Sequence, residues 1–152
     1  MLIRATDGRT GLYTFRKFNN IEDALIVAGK SRNPFLYCLE LDKGHYVKIG
    51  YSSNIHRRLI DHKNVSFRNM ICRVALLEFD GGLAKDIKAI ESWIHRILNS
   101  RQITTGEYDG SPYETYMFDK DATHEPNNFD AFIDIIFITM IMMYANGELG
   151  YR

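Results

Sequence analysis

Residues 35–62 read FLYCLELDKGHYVKIGYSSNIHRRLIDH, and this stretch decides how the rest of the chain is read. Phe35 to Leu41 and His45 to Tyr51 are rich in the aromatic and β-branched residues that suit a pleated, half-buried surface, and Asp42-Lys43-Gly44 between them has turn chemistry. The pair predicts an antiparallel hairpin. Ser53 or Asn54 can then cap a helix over Ile55 to His62. Strand periodicity can set Tyr37 beside Lys48 across the hairpin. Gly50 lets the chain turn sharply out of the second strand, with Arg58 reaching back over that turn.

Working outward, Met70 to Phe79 (MICRVALLEF) is a third strand ending at Asp80-Gly81-Gly82. Leu83, Ile87, Ile90, Ile94, Ile97 and Leu98 recur at steps of three and four, so Leu83 to Asn99 is the clearest helix. Upstream, Leu2 to Ala5 and Leu12 to Phe18 flank a turn-prone segment, and a short helix at Ile21 to Gly29 has acidic residues in its first turn. Asn33-Pro34 closes it off, because the residue before proline is pushed away from helical geometry. Residues 100–125 read as irregular, with a short strand candidate at Glu114 to Phe118. A helix at Phe129 to Tyr144 is apolar on nearly every side, which predicts burial from more than one direction.

The expected fold is therefore α/β, a small central three-stranded antiparallel sheet flanked by helices. Residues 1–152 form a single domain, with a hairpin-plus-helix extension over 1–34, a core over 35–100 and an extension with the apolar helix over 101–152. That helix is compatible with a homodimer.

The 152 residues are 45% hydrophobic and 25% charged, an ordinary globular profile long enough to bury a core without staples. Cys38 and Cys72 sit in strand-like runs without metal-ligand spacing, and two such thiols with no secretory start suggest an intracellular setting, cytoplasmic or nucleoid/nuclear. The apolar run Ala131 to Tyr144 is interrupted by Asp134 and is shorter than the roughly 20 residues a membrane span needs. The formal net charge is zero, which argues against a general polyanion binder. The distribution is uneven, however: Lys plus Arg against Asp plus Glu is 6 to 3 over residues 1–34, 11 to 9 over 35–113 and 2 to 7 over 114–152. Between residues 43 and 73, Lys43, Lys48, Arg57, Arg58, Lys63, Arg68 and Arg73 face only Asp61. Such a surface suits a phosphate backbone, since neutralising phosphates releases counterions.

The hairpin and following helix resemble the core of the GIY-YIG nuclease superfamily. Phe35-Leu36-Tyr37 stands at the first motif, and Lys48-Ile49-Gly50 stands at the second, with lysine replacing its tyrosine as in some restriction endonucleases of that superfamily. Gly50, Ser52, Asn54, Arg58, Leu59 and His62 meet the downstream pattern. Glu91 in AIESWIHRIL resembles the E-x-x-I-H form of its phage and large-virus branch. The resemblance covers roughly Phe35 to Ser100. The family's later asparagine has no counterpart, and either Gly106-Glu107-Tyr108 or Glu114-Thr115-Tyr116 can stand for its late aromatic element.

This resemblance implies metal-dependent hydrolysis of a nucleic-acid phosphodiester, DNA foremost. Glu91 is the implied ligand of a single Mg²⁺ or Mn²⁺, an ion that keeps most of its waters and so needs few protein ligands. Tyr37 is the implied base, helped by the Lys48 cation because an ordinary phenol, with a pKa of about 10, is a poor base near neutrality. Arg58 would stabilise charge on the phosphoryl group, and His62 would orient the water or base or donate to phosphate. Arg57, Lys63 and Arg68 are candidate backbone contacts. Each residue also has a plainer reading: Tyr37 as an amphipathic strand residue, Lys48 as a snorkelling edge residue, Arg57 as a solvated charge, His62 as a helix terminus, Trp93 as core. A non-cleaving nucleic-acid-binding or regulatory protein, or an assembly protein working through its C-terminal helix, remain alternative classes.

Overall fold

Alternation of side chains along Phe35–Leu41 sends Leu36 and Cys38 to one side and Phe35, Tyr37, Leu39 and Leu41 to the other, and all seven residues are buried. A strand apolar on both sides must lie inside a sheet covered on both faces. The computed structural model, which describes residues 2–5, 13–79, 84–100, 104–105, 115–118 and 128–145, has this arrangement. Its strands are β1 (Leu2–Ala5), β2 (Tyr13–Phe18), β3 (Phe35–Leu41), β4 (Tyr46–Ser52), β5 (Ile71–Phe79), β6 (Thr104–Thr105) and β7 (Thr115–Met117). Helices α1 (Ile21–Ala28), α2 (Ile55–Asp61), α3 (Ala84–Ser100) and α4 (Phe129–Ala145) complete it, with a π-helical turn at His62–Ser66.

The class is α/β as expected, but the sheet is larger than three strands. Its order is β1-β2-β5-β3-β4-β7-β6, antiparallel throughout. The N-terminal hairpin joins the same sheet, with β2 in register along β5 from Tyr13 opposite Phe79 to Phe18 opposite Val74. The β3–β4 turn has Asp42 and Lys43 at φ 51° and 57° and Gly44 at φ 89°, with Gly44 N–H donating to Leu41 O at 3.2 Å. Three successive positive φ values carry this reversal, and glycine is the residue that takes the largest of them without strain.

One face carries α1 and α2, whose Ile21, Ala24, Ala28, Ile55 and Leu59 pack with Phe67 on Phe35, Leu39 and Leu76. The other carries α3 and α4, with Ile90, Ile94, Phe129, Phe132, Ile133 and Ile136 packed on Leu36, Val47, Ala75 and Leu77. Burial of α4 is one-sided where its side chains are described, since Ile138 and Met142 are exposed. The expected all-round burial is not met there, because the sheet covers only one flank of this helix. Arg73 fixes the start of α4. It bonds Glu40 through both carboxylate oxygens at 2.8 Å and Asp130 at 2.9 Å, and Lys17 reaches Asp130 at 2.6 Å. At the other end of β5, Glu78 takes hydrogen bonds from Arg16, Ser31 and Asn33, which secures the α1–β3 connection. Among the described residues, no helix is long and apolar enough to cross a membrane.

Candidate active site

Tyr37 pairs with Gly50 across the hairpin, so their side-chain positions share a face. The phenol ring lies over Gly50. A Cβ built there would stand 2.6 Å from Tyr37 Cζ and 2.9 Å from Cε1, and closer still to the hydroxyl. Glycine is thus required by close approach: β4 continues past it to Ser52, so the sharp turn expected at Gly50 is not present. Lys48, two residues back, pairs with Leu39 on that same face and is 2% exposed. It is a diagonal neighbour of Tyr37 and does not snorkel to the edge.

The π-helical turn presents His62. Phe67 N–H donates to His62 O at 2.8 Å, an i to i+5 bond that widens the turn and carries His62 inward. His62 Nε2 meets Tyr37 Oη at 2.8 Å, buried, with the Phe67 ring centroid 5.1 Å from the imidazole. His62 does end α2, as its C-cap, but it is buried against the tyrosine and not on the surface.

Glu91 comes from the opposite face. On α3, it follows the buried Ile90 and keeps 19% side-chain exposure, with His95 one turn on at 3.9 Å. His95 Nδ1 also forms a short hydrogen bond with the Tyr116 hydroxyl, tying α3 to β7. Burial, and next the charge of Glu91, push the Cys38 thiol well above its ordinary range, which suits an inert core residue.

Residues from the two faces meet at the edge of β4. Within the described residues, β7 meets β4 only at Tyr46, Val47 and Lys48, so β4 beyond Lys48 borders no described neighbour on that side. There Tyr37, Gly50, Tyr51, Ser52, Ser53, Arg58 and Glu91 line a cleft of about 290 Å³. Arg58 reaches it from α2, whose N-terminus Asn54 caps by accepting from Arg57 N–H at 3.3 Å. Tyr51 is exposed at the rim, with Lys88 Nζ 5.5 Å from its ring centroid.

The T5orf172 domain model matches residues 35–129, more than half of the chain. The chain belongs to the T5orf172 domain family. No curated protein and no solved structure matches it significantly. The T5orf172 domain is found in the context of phage endonucleases, and the family supports a nuclease-like or DNA-binding role. All residues of the cleft fall inside the matched segment, whereas β1, β2 and α1 precede it.

The T5orf172 segment does not gather every residue singled out above. Arg57 is exposed on α2 and does not line the cleft. Lys63 and Arg68 line a separate groove with Glu22, which Lys63 approaches at 3.6 Å. The cationic run is correspondingly thinner than a count suggests, because Lys48 is buried and Arg73 is held by Glu40 and Asp130. Lys43 sits at the hairpin tip, the opposite end from Gly50. The sequence reading missed His95 and Tyr116 as the support of Glu91. The i, i+4 spacing of Glu91 and His95 was a visible signal. Of the second late-element candidate, Thr115 and Tyr116 lie on β7, while Glu114 and residues 106–108 lie outside the described residues.

Proposed function

We propose that this T5orf172 protein is a metal-dependent endonuclease of the GIY-YIG type, acting on DNA. The observation that carries the reading is the convergence of Tyr37, Arg58 and Glu91 on one cleft, with His62 bonded to the tyrosine. The oxygen donors at the cleft, the Glu91 carboxylate with the Ser52 and Ser53 hydroxyls and the phenol, suit a hard cation such as Mg²⁺. Among the described residues there is no cluster of three or more His, Cys, Asp or Glu, so Glu91 would be the carboxylate that holds the ion, with water and substrate completing its shell. When bound, such an ion neutralises charge on the phosphate oxygens.

The chain's own groups do the rest. Tyr37, as phenolate, takes a proton from the attacking water while the water oxygen bonds to phosphorus and the P–O bond to the leaving strand breaks. The leaving oxygen is protonated from solvent. His62 Nε2 accepts the phenolic proton when it acts as the neutral acceptor tautomer, which readies Tyr37 for the step. Lys48 contributes positive charge on the same sheet face, favouring the phenolate. Arg58 offers a planar set of donors to charge developing on the phosphoryl group, a contribution of the order that costs about 10²–10³ in rate when removed.

A non-cleaving DNA-binding role is the second reading, favoured by the burial of Lys48 where the resembled motif carries tyrosine. Plasmid nicking with Mg²⁺ or Mn²⁺ separates the two. The nuclease reading expects nicking by wild type and background for Glu91→Gln with DNA binding retained. Equal background for both proteins on DNA and RNA would leave the binding reading standing.

A further inference from the structure

A second cleft adjoins the first, and Ser53 lines both. It measures about 530 Å³ and lies where the α1–β3 connection meets the start of α2, lined by Gly29, Ser31, Arg32, Ser53, Asn54 and His56. Among the described residues no carboxylate lines it, in contrast to the Lys63 and Arg68 groove with its Glu22. Arg32 is exposed, and among the described residues no carboxylate pairs with it. Ser31 Oγ donates to Glu78 at 2.6 Å, and Asn54 Oδ1 accepts from Arg57 N–H. That leaves the Arg32 guanidinium as the charged group directed to solvent at this cleft, with the exposed His56 beside it. Gly29 lies close under the His56 ring, where a Cβ would meet His56 Cδ2 and Leu25 O at 3.3 Å.

We infer that this cleft is a backbone subsite, in which Arg32 holds a phosphate of the nucleic-acid strand to one side of the phosphate addressed by Arg58. The inference rests on the nuclease reading of the first cleft. A continuous strand needs phosphate-binding groups at successive positions, and Arg58 and Arg32 stand on adjoining clefts joined through Ser53. Contacts of this kind set the register of the strand and carry no sequence information. Arg32 is therefore a positioning residue for any sequence, and it lies outside the T5orf172 match, which begins at Phe35.

The test uses the full chain in a Glu91→Gln background, to prevent cleavage, with a fluorescein-labelled DNA duplex and its single strand. Affinity is titrated against salt. Arg32→Ala is expected to weaken binding several-fold on every sequence and to make the log–log salt slope shallower by about 0.9 on duplex or about 0.7 on single strand, the value for one phosphate contact. Lys43→Gln, an equal loss of charge at the far hairpin tip, is expected to leave the slope unchanged. An unchanged slope and affinity for Arg32→Ala, in a parent that binds well, overturns the subsite and leaves the nuclease reading intact. A parent that binds neither probe overturns both. A sequence-dependent loss in Arg32→Ala also overturns it, since that outcome belongs to base readout. Arg32 is exposed, so unchanged thermal melting will confirm that the variant is folded.

Discussion

Replacing Gly50 by alanine reverses a sign that strand chemistry would otherwise set. A glycine in a strand with ordinary φ costs roughly 0.5–1 kcal/mol relative to alanine, so Gly50→Ala in an open strand would stabilise. Here the new methyl would stand 2.6 Å from Tyr37 Cζ and 2.9 Å from Cε1, against the ~3.5–4.0 Å at which carbon atoms rest. The ring must therefore move by about 1 Å. It has little room to do so, being 2% exposed and bonded to His62 at 2.8 Å. Overpacking of this kind costs about 1–3 kcal/mol, and a lost buried hydrogen bond adds about 0.5–1.5. The net destabilisation, about 1–4 kcal/mol, corresponds to a fall of roughly 2–16 °C in Tm at 2–4 °C per kcal/mol for a chain of this size. A misplacement of about 1 Å at the proposed base also costs on the order of 10²-fold in cleavage rate. Differential scanning calorimetry and plasmid nicking measure the two effects. Tyr37→Leu in the Gly50→Ala background should recover part of the stability, though none of the activity. A Gly50→Ala protein that melts at or above the wild-type temperature would falsify the close approach of ring and strand.

Three further outcomes follow from the packing. Arg73→Ala removes the bidentate partner of the largely buried Glu40 and one of two cations on Asp130, so chemical unfolding should show a loss of about 3 kcal/mol, the lower end for a broken buried pair since Arg73 keeps some exposure. For Glu78, burial alone would raise the carboxyl's pKa. The hydrogen bonds from Arg16, Ser31 and Asn33, with the charge of Arg16, outweigh this and hold it below the usual value. The stability from this group is complete above the ordinary glutamate range near 4.3 and is lost as pH falls through the lowered value, so Glu78→Gln should flatten the acid limb of a Tm-against-pH curve. Asp130, held low first by Lys17, has the same sign. Its exposed position makes the contribution small.

What the sequence revealed was mostly what is local. The β3–β4 hairpin, the Asn54 cap and the amphipathic α3 rest on spacings within a few residues, and each forms near its expected bounds. Tyr37 and Arg58 lie within one hairpin-helix unit, whereas Glu91 was singled out only by the resemblance; the three line one cleft. Pairing of β2 with β5 was not legible, since Phe18 and Val74 are brought together only by tertiary structure. The π-helical turn leaves no mark in apolar periodicity, yet it decides where His62 points. The cation count misled at Arg73 for the same reason: its partners, Glu40 and Asp130, are distant in sequence.

The pairing of β2 with β5 has a consequence for any shortened form of this protein. Without residues 1–32, β5 becomes an outer strand, and residues 74–79 (VALLEF) offer six successive backbone positions that β2 now occupies. A bare apolar border of that length is a template for strand addition between molecules. The N-terminal hairpin covers this border, reinforced by the hold of Arg16 on Glu78. Size-exclusion chromatography of a fragment beginning at Asn33 should show higher oligomers or precipitation where the full chain does not, and equal behaviour of the two would show that some other segment shields this border.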